Sequence, residues 1–234
     1  MINKKFTHSR EMEVPHGHFF RSEGNFSLNV GDDKENVLKN RRRAAEALGF
    51  SRWITGGVVH GATIAHVKED STEFVGNCDG LITDIPGIAL MMTWADCQVA
   101  LFYDPVRRAV GVAHAGWRGQ CQNIYAKIVR RMKEVFGSSP TDLRVSISPS
   151  LGQNRGEFVN YRSELPESFW QFQVKPNYFD LWAVAKWQLL ELGLQEKHLH
   201  FSRICSYDNP DLCFSFRRDE KKTGRNASII GIKY

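Results

Sequence analysis

Cys97 and His114 are the residues whose types and placement first suggest chemistry. They lie in the run Trp94-Ala-Asp-Cys-Gln-Val-Ala-Leu-Phe-Tyr-Asp-Pro-Val-Arg-Arg-Ala-Val-Gly-Val-Ala-His-Ala-Gly-Trp-Arg-Gly119. This run reads as two apolar strands joined by a polar turn at Asp104-Pro105. A hairpin brings its end back beside its start, so the thiol and the imidazole can meet at one end. His60, just before Gly61, is a third candidate of the same kind, a ligand type at a strand end beside glycine. One thiolate and two imidazoles suit a tetrahedral zinc with three protein ligands and an open fourth position.

The same residues support a second chemistry, with Cys97 as a thiolate nucleophile, His114 as its base and Asp96 or another carboxylate as the orienting group. The spacings are 37 residues from His60 to Cys97 and 17 from Cys97 to His114, and they match no short metal signature. Both readings therefore stay open on spacing alone. Cys97 starts a strand rather than a helix, and thiols are more readily activated at helix N-termini, which counts against the nucleophile.

Anion binding is the next function the residues suggest. Ala115-Gly-Trp-Arg-Gly119 leads into a helical pattern over 121–136, so backbone N–H groups there could face an anion. Arg118 offers a planar fork for phosphate or carboxylate, and Trp117 a surface for a flat ligand. Arg217, Arg218 and Arg225 sit among turn residues near the C-terminus and read first as surface or ion-pairing groups. Cys205 and Cys213 read as buried thiols in neighbouring strands.

The elements that must position these residues alternate between strand and helix. Residues 26–31 alternate like a short strand. The span 33–48 carries apolar residues at helical spacing, with Asp32 or Asp33 to cap it and Gly49 to end it. Strands are expected at 52–55, 58–60, 63–67 and 79–83, with a polar loop over 69–78. The continuous apolar run 88–93 reads as a buried strand. Beyond the hairpin, one helix is expected over 121–136, a strand over 143–148, a short aromatic-rich helix over 163–173 and a helix over 181–192 between Asp180 and Gly193. Strands near 200–204, 213–217 and 227–233 complete the chain. The fold class is α/β: a single layered domain over 19–234 with a mixed β-sheet and flanking helices. Residues 1–18, polar and carrying His8, His16 and His18, read as a loosely ordered tail.

Bulk properties limit the function classes. The 234 residues are 42% hydrophobic and 24% charged, ordinary for one globular domain. The net charge of +5 is spread along the chain rather than clustered with aromatics, which favours anionic small molecules over nucleic acid. No stretch approaches the roughly 20 apolar residues of a membrane span, and no apolar run follows the N-terminal basic residues as in a secretory signal. Five cysteines without framework spacing fit free thiols in a reducing, cytoplasmic setting.

Taken together, Val59-His60-Gly61, Ala95-Asp-Cys97, Ala113-His-Ala-Gly-Trp-Arg-Gly119, Cys205 and Thr223-Gly-Arg225 resemble the laccase-domain family. This is the multicopper polyphenol oxidase-like or peptidoglycan-editing-factor family, which includes purine nucleoside phosphorylases. The resemblance runs from about Ser27-Leu-Asn29 to the last strand. It implies a metal site of His60, Cys97 and His114, occupied by zinc or, alternatively, copper. It also implies phosphorolysis of adenosine, inosine or methylthioadenosine, and deamination of adenosine, with nucleoside and phosphate as ligands. Asn29 matches a family position that would hold a ribose hydroxyl. The alternatives are a copper-dependent polyphenol oxidase, a Cys–His hydrolase acting on peptidoglycan precursors, and a nucleotide-binding member without turnover. The sequence leaves the oligomeric state open. This chain departs from the family at Val58 and Trp94, and at Asn154-Arg155-Gly156, where the family carries Cys-Cys-Tyr before the retained Glu157.

Overall fold

The computed structural model describes residues 5–220 and 223–234. In chain order the strands are β1 (Phe6–Thr7), β2 (His16–Phe19), β3 (Arg52–Gly57), β4 (Ile64–His66), β5 (Phe74–Asn77), β6 (Gly80–Thr83) and β7 (Ile88–Trp94). They continue with β8 (Gln98–Asp104), β9 (Ala109–Ala115), β10 (Arg144–Ile147), β11 (Gln173–Lys175), β12 (Tyr178–Phe179), β13 (Leu199–Phe201) and β14 (Asn226–Gly231). The helices are α1 (Lys34–Ala47), α2 (Trp117–Cys121), α3 (Ile124–Phe136), α4 (Tyr161–Glu164), α5 (Leu181–Glu191) and α6 (Phe216–Asp219).

Twelve of these strands form two six-stranded sheets, in the orders β1-β2-β14-β7-β3-β5 and β13-β10-β8-β9-β6-β4. Both are mixed, as expected: β3 runs parallel to β7 and β5, and β10 to β13, amid antiparallel neighbours. The apolar alternation explains why there are two sheets rather than one. On β7, Leu90, Met92 and Trp94 face one core, which they share with Val99 and Leu101 of β8 and Val110 and Val112 of β9. The intervening Ala89 and Met91 face α1 through Ala44 and Ala45. On β8, Ala100 and Phe102 turn the other way, onto Ile124, Ile128 and Met132 of α3 and Leu189 of α5. The layers therefore run helix, sheet, sheet, helix, and the central strands are apolar throughout because both of their faces are covered. Burial of each of the α3 anchors Ile124, Ile128 and Met132 contributes about 1.5–3 kcal/mol.

Helix ends follow the expected signals. Asp33 caps α1 by accepting from Asn36 N–H at 2.9 Å, and Asp180 caps α5 by accepting from Trp182 and Ala183. The helix expected over 121–136 is instead two. Asn123 at φ 50° breaks the path, and its side chain accepts from Ala126 N–H to start α3 afresh. Residues 26–31 form no strand, because the Asn25 side chain takes both backbone groups of Ser27 in a local turn, donating to its carbonyl and accepting from its N–H. The expected loop 69–78 contains the edge strand β5, and 213–217 leads into α6, capped by Ser215, rather than forming a strand. Cys205 and Cys213 therefore do not lie in neighbouring strands.

The expectation of a loose tail over 1–18 fails within its described residues. β2 pairs with β14, and His16 and His18 are buried. His18 hydrogen-bonds Ser228 and Ser146, and the Trp94 indole also donates to Ser228, so partners far along the chain fix this segment. His16 places Nδ1 2.8 Å from the Val14 carbonyl and accepts the Ser9 N–H at Nε2, which holds the ring neutral. Burial pushes its pKa down to about 4; the Val14 bond opposes this, and His8 and His200 add to it. Burial likewise pushes His18 well below its ordinary value, helped by His16 and His200.

An unfolded histidine titrates near pH 6.5, so below that pH the unfolded chain binds a proton that the folded chain refuses. Stability should fall between about pH 6.5 and pH 4, with His16 alone accounting for roughly 3 kcal/mol. Urea midpoints should be lower at about pH 5 than at about pH 7.5, and the difference should shrink in His16→Gln. An equal pH dependence in the variant and the wild type would contradict this.

Candidate metal centre

The hairpin delivers its two ligand types as the sequence suggests. Asp104 accepts from Val106 and Arg107 N–H at 2.9 and 3.0 Å, closing the turn, and this fixes the register that sets Val99 opposite His114. Cys97, two residues before Val99, thus comes beside His114. His60 arrives from the loop after β3, held at φ 57°. Donor atoms of His60, Cys97 and His114 all lie within 4.8 Å of one another. The two imidazoles stand edge to face with centroids 5.1 Å apart.

Two observations fit these three side chains to a metal ion. Nδ1 of His114 is buried without a hydrogen-bond partner, as an imidazole waiting for a Lewis acid would be. Gly116 leaves space where the three side chains converge: a Cβ there would stand 3.1 Å from Cys97 Sγ, 3.4 Å from His60 Cδ2 and 3.5 Å from His114 Cε1. The backbone at Gly116 has φ −65°, open to any residue, so it is space and not conformation that calls for glycine.

Charge in the site is set by burial. Burial pushes the Cys97 thiol up to about 12, with Asp96 adding and Arg225 opposing. It pushes His114 down to about 3, helped by His60 and Arg225. His60 is lowered too, by burial first, against the pull of Asp79. Both imidazoles are thus neutral and ready to ligate at neutral pH. The thiol is held in its unreactive form until a cation favours the thiolate. This is the opposite of an activated cysteine, and it weighs against Cys97 as a nucleophile.

The centre opens into a cavity of about 1020 Å³. Asn29 and Arg118, both expected at the site, line it, as do Arg217 and Arg225. Arg218 does not serve it; its guanidinium is tied to Asp219 and to the carbonyls of Ser206, Tyr207 and Cys213. Trp117 and Phe158 form an aromatic wall, centroids 5.7 Å apart, and the Arg118 guanidinium stacks 4.0 Å over Trp117. The helix that follows His114 is the five-residue α2, too short for the helix-terminus anion site expected there, and the cationic groups of the cavity are its arginines. Asp96, at φ 78°, accepts from Ser206 Oγ and Arg217 N–H and ties the rim to the residue before Cys97.

Two residues escaped sequence reasoning. Arg41, buried on α1 and donating to the Phe26 carbonyl, reaches the cavity from a helix face that reads as plain amphipathic surface. Asp79, fully buried, reads as the polar start of a strand. The departure at Asn154-Arg155-Gly156 lies away from the cavity lining. Arg155 pairs with Asp208 at 2.7 Å and stacks over Tyr207, while Phe158 reaches the wall.

A family model described as multi-copper polyphenol oxidoreductase laccase matches residues 4–233. A curated relative from Geobacillus stearothermophilus, named purine nucleoside phosphorylase YlmD, is 35% identical over 227 residues, covering 88% of this chain and 82% of the relative. A purine nucleoside phosphorylase from Bacteroides thetaiotaomicron is 30% identical over 235 residues, covering 90% and 87%. The crystal structure of YlmD from Geobacillus stearothermophilus superposes with a TM-score of 0.88 at 30% identity, over 100% of this chain and 98% of that one.

The packing around Gly116 yields a direct test. Gly116→Ala should fold like the wild type but bind zinc at least about tenfold more weakly, and Cys97→Ala should lose stoichiometric zinc while remaining folded. Equilibrium dialysis with circular dichroism checks both. Undiminished zinc in Cys97→Ala would overturn the ligand set and restore the nucleophile reading.

Proposed function

The chain belongs to the multi-copper polyphenol oxidoreductase laccase family, and from that premise we propose that it is a zinc-dependent purine nucleoside phosphorylase. The observation that carries this reading is the convergence of His60, Cys97 and His114 on the floor of a large cavity walled by aromatics and arginines. Purine nucleoside phosphorylase is also the name carried by its relatives.

Phosphorolysis needs a place for a flat base, cations for phosphate, and stabilisation of charge as the glycosidic bond breaks. Trp117 and Phe158 offer the base a wall. Arg118 and Arg225 line the same cavity and supply guanidinium forks for phosphate. Arg225 is the more committed of the two: it is half-buried, and its NH1 is anchored on the carbonyls of Thr223 and Gly224. Asn29 lies at the rim, where it can take a ribose hydroxyl. His60, Cys97 and His114 would hold the zinc, which supplies positive charge and Lewis acidity at one open position. Nucleoside entering this cavity would displace water from it and so strengthen each of these interactions.

The same donor set supports adenosine deamination as a second activity. Copper-based oxidation is the weaker reading: among the described residues the ligand-type side chains form one group of three, smaller than a multi-copper centre requires. All five cysteines are free. No helix among the described residues is long and apolar enough to cross a membrane.

Zinc-loaded protein incubated with adenosine and phosphate should yield adenine and ribose 1-phosphate, dependent on both metal and phosphate. Inosine formed without phosphate would report deamination. Arg118→Ala should raise the KM for phosphate about tenfold or more, the cost of a charge-assisted bond. Absence of any product from protein with stoichiometric zinc would favour a binding role instead.

A further inference from the structure

The loop that carries His60 belongs to no strand, yet it must hold an imidazole at φ 57° against two other ligands. A loop of this kind would ordinarily spread over many conformations, each order-destroying for the centre. One buried residue prevents this. Asp79, immediately before β6, is wholly inaccessible to solvent. Its Oδ1 accepts from the Val59 N–H at 3.0 Å and its Oδ2 from the Gly61 N–H at 2.9 Å, so the two carboxyl oxygens grip the amides on either side of His60.

The backbone of Asp79 completes the brace. Its N–H donates to the Thr63 carbonyl at 2.9 Å, pinning the far end of the loop. Its carbonyl accepts from the His114 N–H at 2.7 Å, so the same residue also sets the height of the second imidazole. We propose that Asp79 is the positioning residue of the centre, fixing His60 through its side chain and His114 through its main chain. The inference rests on the reading of His60, Cys97 and His114 as metal ligands.

The chemistry calls for a carboxylate and not an amide. Both of its partners are N–H donors, and an asparagine would satisfy one and turn its own NH2 against the other. Both bonds come from backbone amides, one on each side of His60. Outer partners of metal ligands commonly act in this way, by fixing the orientation of the ligand they hold.

The test is a double-mutant cycle read as zinc affinity by chelator competition, with circular dichroism and thermal melting as the fold control. Asp79→Asn should bind zinc about 10–100-fold more weakly than the wild type. In a His60→Ala background the same substitution should change affinity by less than about threefold, because the ligand it positions is gone. Should Asp79→Asn fail to fold, Gly61→Ala provides the milder probe. Its backbone needs no glycine, and its Cβ would crowd Asp79 Oδ2 at 3.2 Å, so it should weaken zinc several-fold in the His60 background only. An Asp79→Asn protein within threefold of the wild type, or an equal loss with and without His60, overturns the role of Asp79. A wild type that takes up no zinc overturns the ligand set, and this inference with it.

Discussion

The structure is organised around three groups that would each prefer water or a proton: a buried His114, a half-buried Cys97 and His60 at the exposed side of the cluster. A thiol and two imidazoles meet within 4.8 Å, and lost solvation holds all three uncharged. Such a cluster is costly to keep empty and favourable to fill, because a cation replaces the missing solvation of every member at once. The surrounding features serve that crowding. Hairpin register places Cys97 near His114, the absence of a side chain at Gly116 leaves the gap, and Asp79 holds the loop of His60.

The four-layer architecture explains how such a centre can be rigid and still accessible. β7, β8 and β9 are covered on both faces, so the strand ends that emerge from them are firmly placed. The cavity forms beyond those ends, where loops from both sheets gather and can differ without disturbing the core. Its arginines come from four separate places in the chain, Arg41, Arg118, Arg217 and Arg225, which makes the cavity cationic although the chain's excess of positive charge is modest. Trp94 and the Asn154-Arg155-Gly156 loop mark this chain off from the family pattern. Trp94 packs between the sheets with its indole on Ser228, while Arg155 stays outside the cavity lining, so neither removes a ligand.

What could be read from the sequence was whatever short-range pattern decides. The hairpin that brings Cys97 beside His114 and the capped helices α1 and α5 depend on alternation, turn residues and caps a few positions apart, and they appear as expected. His60 needed more, since nothing within the chain's local pattern links it to residues 37 and 54 positions later; its glycine neighbour and the family resemblance supplied the link. Asp79 and Arg41 were hidden because their roles are defined by backbone amides and a cavity that exist only after folding. The misread histidine segment has the same cause. His16-Gly17-His18 is polar by composition, and Ser146 and Ser228, which make its burial tolerable, lie 128 and 210 residues from His18. Continuous apolar runs revealed that strands were covered on both sides, but not that the cover on one side was a second sheet.

X-ray absorption at the zinc edge of the metal-loaded protein tests the centre most directly. One sulfur at about 2.3 Å with two imidazole nitrogens at about 2.0–2.1 Å is the expected shell, the remaining position being filled by a light atom. A shell of nitrogen and oxygen alone would show that Cys97 is no ligand and that the cluster serves some other chemistry.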